Sequence, residues 1–121
     1  MTSRILLIDD DLLLGQLIRA LVAGRQGSLT QVQNGKTGLE MAGAAHYDYI
    51  LVDLMLPQID GLNVLRELSG RVRAHFRPKL IAISSRRSAE AKSECIAAGA
   101  DRFLEKPVRP QALFDCLDLV A

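Results

Sequence analysis

Short apolar runs alternate along this chain with longer stretches in which apolar residues recur every three or four positions, and the alternation repeats five times. Period-two or continuous apolar runs predict strands, and the three-and-four spacing predicts amphipathic helices. Arg4 to Ile8 is a first strand, followed by a helix from about Asp11 to Ala23. In that helix Leu14, Leu17, Ile18, Leu21 and Val22 share one face, and Gly24 and Gly27 stop it. Leu29 to Val32 is a weaker, more polar strand, which places it at a sheet edge. Asn34-Gly35 marks a loop before a second helix, about Lys36 to Ala45. Tyr49 to Asp53 is apolar enough to be buried on both faces. A loop with Pro57 and Asp60-Gly61 then leads to a third helix from about Leu62, with Val64, Leu65 and Leu68 inward. Lys79 to Ile83 is a fourth strand, and the helix from about Ala89 to Ala98 ends at Gly99. Arg102 to Glu105 is a fifth strand. Pro110 suits the first position of a last helix carrying Leu113, Leu117 and Val120. Five such units predict an α/β fold, a doubly wound five-stranded parallel sheet with five helices on its two faces and right-handed crossovers.

Length and charge narrow the picture further. A chain of 121 residues suits one domain, residues 1–121. No apolar stretch approaches the roughly 20 residues needed to span a bilayer, and the Met1 to Arg4 start lacks a signal-peptide pattern. Cys95 and Cys116 both fall in helical patterns and read as small apolar fillers rather than a disulfide or metal pair. A reducing, cytoplasmic setting fits. The formal net charge is +1, so no global field draws the chain onto nucleic acid. Arg71, Arg73, Arg77 and Lys79, and separately Arg86-Arg87, read as solvated surface, because no aromatic residues interleave with them as stacking platforms. His46 and His75 read the same way.

The chemistry lies at the ends of the apolar runs. Asp9 and Asp10 follow the first strand, Asp53 ends the third, and Ser84 and Lys106 end the fourth and fifth. In a parallel sheet these ends share one edge, where ligands bind at the point of strand-order reversal. Asp53 has an ordinary alternative as a helix cap, but Leu54-Met55-Leu56-Pro57 separates it from the next helix. The Asp9-Asp10-Asp11 run has one as an acidic first helical turn, and for Asp11 that reading is preferred. Clustered carboxylates repel and call for a divalent cation. An all-oxygen donor set without histidine or cysteine suits Mg²⁺ rather than zinc. Three carboxylates, a hydroxyl and an ammonium in one pocket are also equipment for accepting a phosphoryl group on an aspartate.

At these residues the chain resembles the receiver domain of two-component response regulators, of the kind found in chemotaxis regulators. The resemblance covers nearly the whole chain. It rests on Ile8-Asp9-Asp10, on Val52-Asp53-Leu54-Met55-Leu56-Pro57 with Asp60-Gly61, on Ile81-Ala82-Ile83-Ser84-Ser85, and on Ala98-Gly99-Ala100-Asp101 with Lys106-Pro107. It implies a flavodoxin-like sheet in the order 2-1-3-4-5. It implies that Asp53 is the phospho-acceptor, taking its phosphoryl group from a sensor histidine kinase or a histidine phosphotransfer protein. Asp10, the Asp53 carboxylate and the Met55 backbone carbonyl would ligate Mg²⁺, with Asp9 acting through a water. Lys106 would pair with Asp53 at rest and with the phosphoryl group afterwards, and Lys106-Pro107 would be a cis peptide. Ser84 matches the switch hydroxyl. Phe103 matches the switch aromatic, although core packing explains a Phe there equally well.

Phosphorylation would then change the surface of the fourth helix, fifth strand and fifth helix, signalling to a downstream effector domain or protein, with a phosphorylation-dependent homodimer as one outcome. On the first helix, Leu12 points about 160° from Leu14 and shares the outer side with Gln16 and Arg19, a surface that suits kinase docking. The expected product is a signalling domain rather than an enzyme, acting without direct contact to nucleic acid or membrane. The alternative is a module of the same fold that binds partners without taking phosphate. An aspartyl phosphotransferase fits less well, since such enzymes usually carry a further acid where Met55 stands. The Met1 start just before the first strand argues against an upstream kinase domain.

Overall fold

The computed structural model describes residues 2–56, 60–71, 78–85 and 89–118. The elements run β1 (Ser3–Ile8), α1 (Leu12–Ala23), β2 (Gly27–Val32), α2 (Gly35–Ala44), β3 (Tyr49–Asp53), α3 (Gly61–Gly70), β4 (Lys79–Ser84), α4 (Ala89–Ala97), β5 (Arg102–Glu105) and α5 (Pro110–Cys116). All strand pairs are parallel and the sheet order is β2-β1-β3-β4-β5. This is the doubly wound arrangement the alternation implies, in the flavodoxin-like order the resemblance implies. Strand order reverses between β1 and β3, which opens a crevice at their carboxyl ends.

Period-two alternation splits the core into two layers. Leu6, Ile8, Ile50, Val52, Leu80 and Ala82 face Val64, Leu65, Leu68 and Cys95 on one side of the sheet. Ile5, Leu7, Leu51, Ile81 and Ile83 face Leu14, Ile18, Val22, Leu113 and Leu117 on the other. β1, β3 and β4 are therefore apolar along their central stretches, 5–8, 50–52 and 80–83, as strands covered on both faces must be. β2 is partly exposed along its length, as expected of an edge.

Local signals set the helix starts. Asp11, Asn34 and Asp60 cap α1, α2 and α3 by accepting from Leu14 N, Thr37 N and Leu62 N. Pro110 occupies the first turn of α5. Past α4, Gly99 adopts φ 111°, a left-handed conformation in which glycine carries no Cβ penalty.

Three expectations shift. Leu17 was placed on the buried face of α1 but is 44% exposed, because the helix seats on the stripe Leu14, Gly15, Ile18 and Val22. Gly27 does not end a helix; it opens β2, opposite Ser3. β4 runs one residue further, to Ser84, which pairs with Glu105. Pro57, Arg73, His75, Arg77, Arg86, Arg87 and Val120 lie outside the described residues.

Leu51 is fully buried at the centre of β3. Leu51→Ala is expected to cost about 3 kcal/mol, the transfer and cavity terms together, read as a lower urea midpoint at unchanged slope.

Candidate functional site

Adjacency of β1 and β3 brings their exits together: Ile8 pairs with Val52, so Asp9 and Asp53 follow side by side. Asp9 N–H donates to Val32 O at 3.0 Å, extending the β1–β2 ladder past the strand end. Asp9 is fully buried and Asp53 is 3% exposed, while Asp10 is exposed. One carboxylate oxygen from each of the three lies within 4.8 Å of the others.

Lys106 enters from β5, held by its N–H donating to Ser84 O at 2.9 Å. Its ammonium lies 3.0 Å from Asp9 Oδ2 and 3.5 Å from Asp53 Oδ2. The expected resting pair between Lys106 and Asp53 is present, and Asp9 joins it. The ammonium is shared and sits nearer Asp9, which is the more deeply buried acid. Lys106–Pro107 is a cis peptide.

Backbone donors supply most of the remaining anchoring. Asp11 N–H donates to Asp9 Oδ1 at 2.9 Å, and Met55 N–H donates to Asp53 Oδ1 at 3.0 Å. Asp9 Oδ2 is buried and, although beside the ammonium, has no hydrogen-bond donor aligned on it. Burial pushes the Asp9 carboxyl above the usual carboxylate range, and the Asp53 charge adds to that. The Asp11 N–H and Lys106 pull the other way without reversing it. Burial acts to lower the Lys106 ammonium, but Asp9 and then Asp53 outweigh it and leave it raised. Three carboxylates against one ammonium leave an excess of two negative charges when all are ionised. An all-oxygen cluster of that charge, including an oxygen without an aligned donor, fits a hard divalent cation.

The other expected site residues fall where the strand ends put them. Ser84 is fully buried at the tip of β4. Phe103 is half-buried on β5, packed against the layer that contains Val64 and Cys95. Together with Lys92, Glu105, Lys106, Arg109 and Ala112 it lines a cavity of about 400 Å³ between α4, β5 and α5. Leu12, Gln16 and Arg19 are all exposed on α1. Met55 is 64% exposed. His46 lies at the opposite end of the sheet, with Nε2 3.3 Å from Asp48 Oδ1.

Residues outside the expected set also shape the site. A Cβ on Gly61 would meet Asp53 O at 2.4 Å and Leu54 Cα at 2.6 Å. Only glycine lets α3 start this close to the end of β3, which explains the Asp60-Gly61 pair. Leu13 is 77% exposed and lines a groove of about 470 Å³ with Asp11, Leu17, Lys106, Pro107 and Val108. The run Leu12-Leu13-Leu14 carried this signal, since consecutive leucines on a helix cannot all reach one buried face. Gln31, on β2, donates to the acidic loop.

The sequence matches the response regulator receiver domain over residues 5–118. The chain belongs to this family. Among curated relatives, the transcriptional regulatory protein QseB of Escherichia coli O157:H7 is 38% identical over 104 residues, covering 86% of this chain and 46% of QseB. The receiver domain thus spans about half the length of the curated relatives it matches. Among solved structures, a Francisella response regulator receiver domain is 27% identical with a TM-score of 0.87, covering 97% of this chain and 94% of that one. The receiver domain of a Pseudomonas aeruginosa sensor histidine kinase, solved with a magnesium ion in its active-site cleft, is also 27% identical. Its TM-score is 0.84, with 98% of this chain and 96% of that one covered. No helix among the described residues is long and apolar enough to cross a membrane.

The raised Asp9 carboxyl sets a pH dependence. A group whose folded pKa is raised favours folding while protonated. That contribution fades as pH rises through the ordinary carboxylate range to the raised folded value. At neutral pH without metal, ionised Asp9 therefore costs stability. Asp9→Asn is expected to raise Tm by about 4 °C, on the order of 1 kcal/mol, in thermal melts with chelator present; an unchanged or lower Tm would contradict the assignment.

Proposed function

We propose that this receiver domain takes a phosphoryl group from a partner's phosphohistidine onto Asp53 and signals through the surface formed by α4, β5 and α5. One observation carries the reading: a buried carboxylate at the end of a central strand shares its pocket with two further carboxylates and an ammonium. In the transfer, an Asp53 carboxylate oxygen forms the new P–O bond while the P–N bond to the donor imidazole breaks. Met55 N–H holds Asp53 Oδ1 and so fixes the rotation of the carboxylate before attack. Lys106 already lies beside Asp53 Oδ2 and meets the added negative charge.

Asp10, Asp53 and the Met55 carbonyl are the groups that would hold Mg²⁺, with Asp9 acting through a bound water. When bound, Mg²⁺ supplies charge neutralisation between the acceptor and the incoming phosphoryl oxygens. The magnesium in the Pseudomonas neighbour supports this assignment. The donors here are all oxygens, as that ion prefers.

The output follows from electrostatics. Turning the Asp53 carboxylate into an acyl phosphate raises the local negative charge by about one and adds phosphoryl oxygens as new acceptors. Ser84 is the hydroxyl that turns toward them, since it ends the strand adjoining β3. Phe103 borders a cavity and has space to change its packing. The switch is a shift between two packings, limited by the differential affinity of the phosphate for each. We assign the chain to the cytoplasm, as a phospho-acceptor rather than a turnover catalyst. Its partners are a histidine kinase or phosphotransfer protein upstream and an effector downstream, with dimerisation on phosphorylation as one output.

For the upstream partner, the exposed face of α1 is the docking surface. Leu12, Gln16 and Arg19 lie on it, and Leu13 and Leu17 extend it as an apolar groove ending at Lys106.

Asp53→Asn is expected to abolish hydroxylamine-sensitive labelling from acetyl phosphate with Mg²⁺ and the beryllofluoride-induced NMR shifts of α4 and β5. Wild-type protein that takes neither would instead be a receiver-like module that works without phosphate. Leu13→Glu is expected to slow transfer from a cognate kinase about tenfold, the effect of removing one apolar anchor, while leaving acetyl phosphate labelling unchanged. Equal slowing with both donors would remove α1 as the docking surface.

A further inference from the structure

β2 carries one polar side chain where its alternation calls for an apolar one. Leu29 packs into the layer containing Ile5 and Leu7. Gln31, two residues on and opposite Leu7 in register, shares that face. Its amide nitrogen donates both hydrogens beyond the strand end, to Asp9 O and to Asp11 O, each at 2.9 Å. The amide group itself lies against Gly15 of α1. A Cβ on Gly15 would stand 1.7 Å from Gln31 Oε1 and 2.5 Å from its Cδ, with no atoms of other residues among the three nearest. The glycine in the first turn of α1 is thus the seat of the glutamine.

The two carbonyls matter because of what lies between them. The peptide plane before Asp10 contains Asp9 O, which Gln31 holds. The plane after Asp10 contains Asp11 N–H, which Asp9 Oδ1 holds. Both planes flanking Asp10 are therefore fixed, although Asp10 itself is exposed. From this geometry we infer that Gln31 is a positioning residue, whose clamp on the β1–α1 loop aims the Asp10 carboxylate and thereby sets the affinity of the acidic cluster for Mg²⁺. The inference rests on the phospho-acceptor reading. A group that orients a metal ligand in this way is worth about tenfold or more in metal affinity.

Gly15 makes the inference separable from a structural role. Glycine to alanine inside a helix normally stabilises, yet here the new methyl displaces the clamp. Gly15→Ala is expected to keep or raise Tm while weakening Mg²⁺ binding about tenfold by titration calorimetry. Gln31→Met, which fills similar space without the donors, is expected to weaken it equally. In both, amide hydrogen exchange at Asp11 quickens in the metal-free protein. In a Gln31→Ala background, adding Gly15→Ala is expected to change Mg²⁺ affinity no further. Wild-type affinity in either single variant, or an affinity loss that only tracks a fall in Tm, overturns the inference alone. Wild-type protein that binds no Mg²⁺ overturns the phospho-acceptor reading and this inference with it.

Discussion

Mutual repulsion among carboxylates on one edge of a parallel sheet is the constraint around which this domain is arranged. Two of them are buried, and an unpaired buried carboxylate is costly. The fold offsets the cost from three directions: backbone N–H groups at Asp11 and Met55, one ammonium shared between Asp9 and Asp53, and solvent on the Asp10 side. The offset is incomplete, since Asp9 keeps a raised carboxyl and an oxygen without an aligned donor. The site is therefore primed for a cation, and it lies where β1 and β3 part to make room.

Much of the fold was legible because the sheet is parallel and covered on both faces. Such strands are continuous apolar runs with sharp polar ends, and their bounds at Tyr49–Asp53 and Arg102–Glu105 are those the runs suggest. Helix faces were less legible. Leu17 has the right spacing for the core yet is exposed, because α1 seats on the stripe Leu14, Gly15, Ile18 and Val22, displaced from that leucine. Periodicity finds a helical face but cannot fix which edge of it meets the sheet.

The site shows the same division. Strand-end acids, a hydroxyl and a lysine could be assembled from chain position alone, since parallel topology brings all strand tips to one edge. The sharing of Lys106 between two acids could not, because it depends on differences in burial and on ångström-scale side-chain reach. Gln31 and Gly61 were equally hidden, since each acts through backbone atoms of other residues. A glutamine on an edge strand reads as solvated until its partners are known.

β5 has one further consequence. It is an edge strand of four residues, with Phe103 packed into one core layer, Leu104 into the other, and Lys106 just past its tip. The strand next to the ammonium thus reaches both core layers, and within the sheet it is bordered by β4 alone. On the phospho-acceptor reading, a change at Lys106 would pass to both faces of the sheet through this marginal strand.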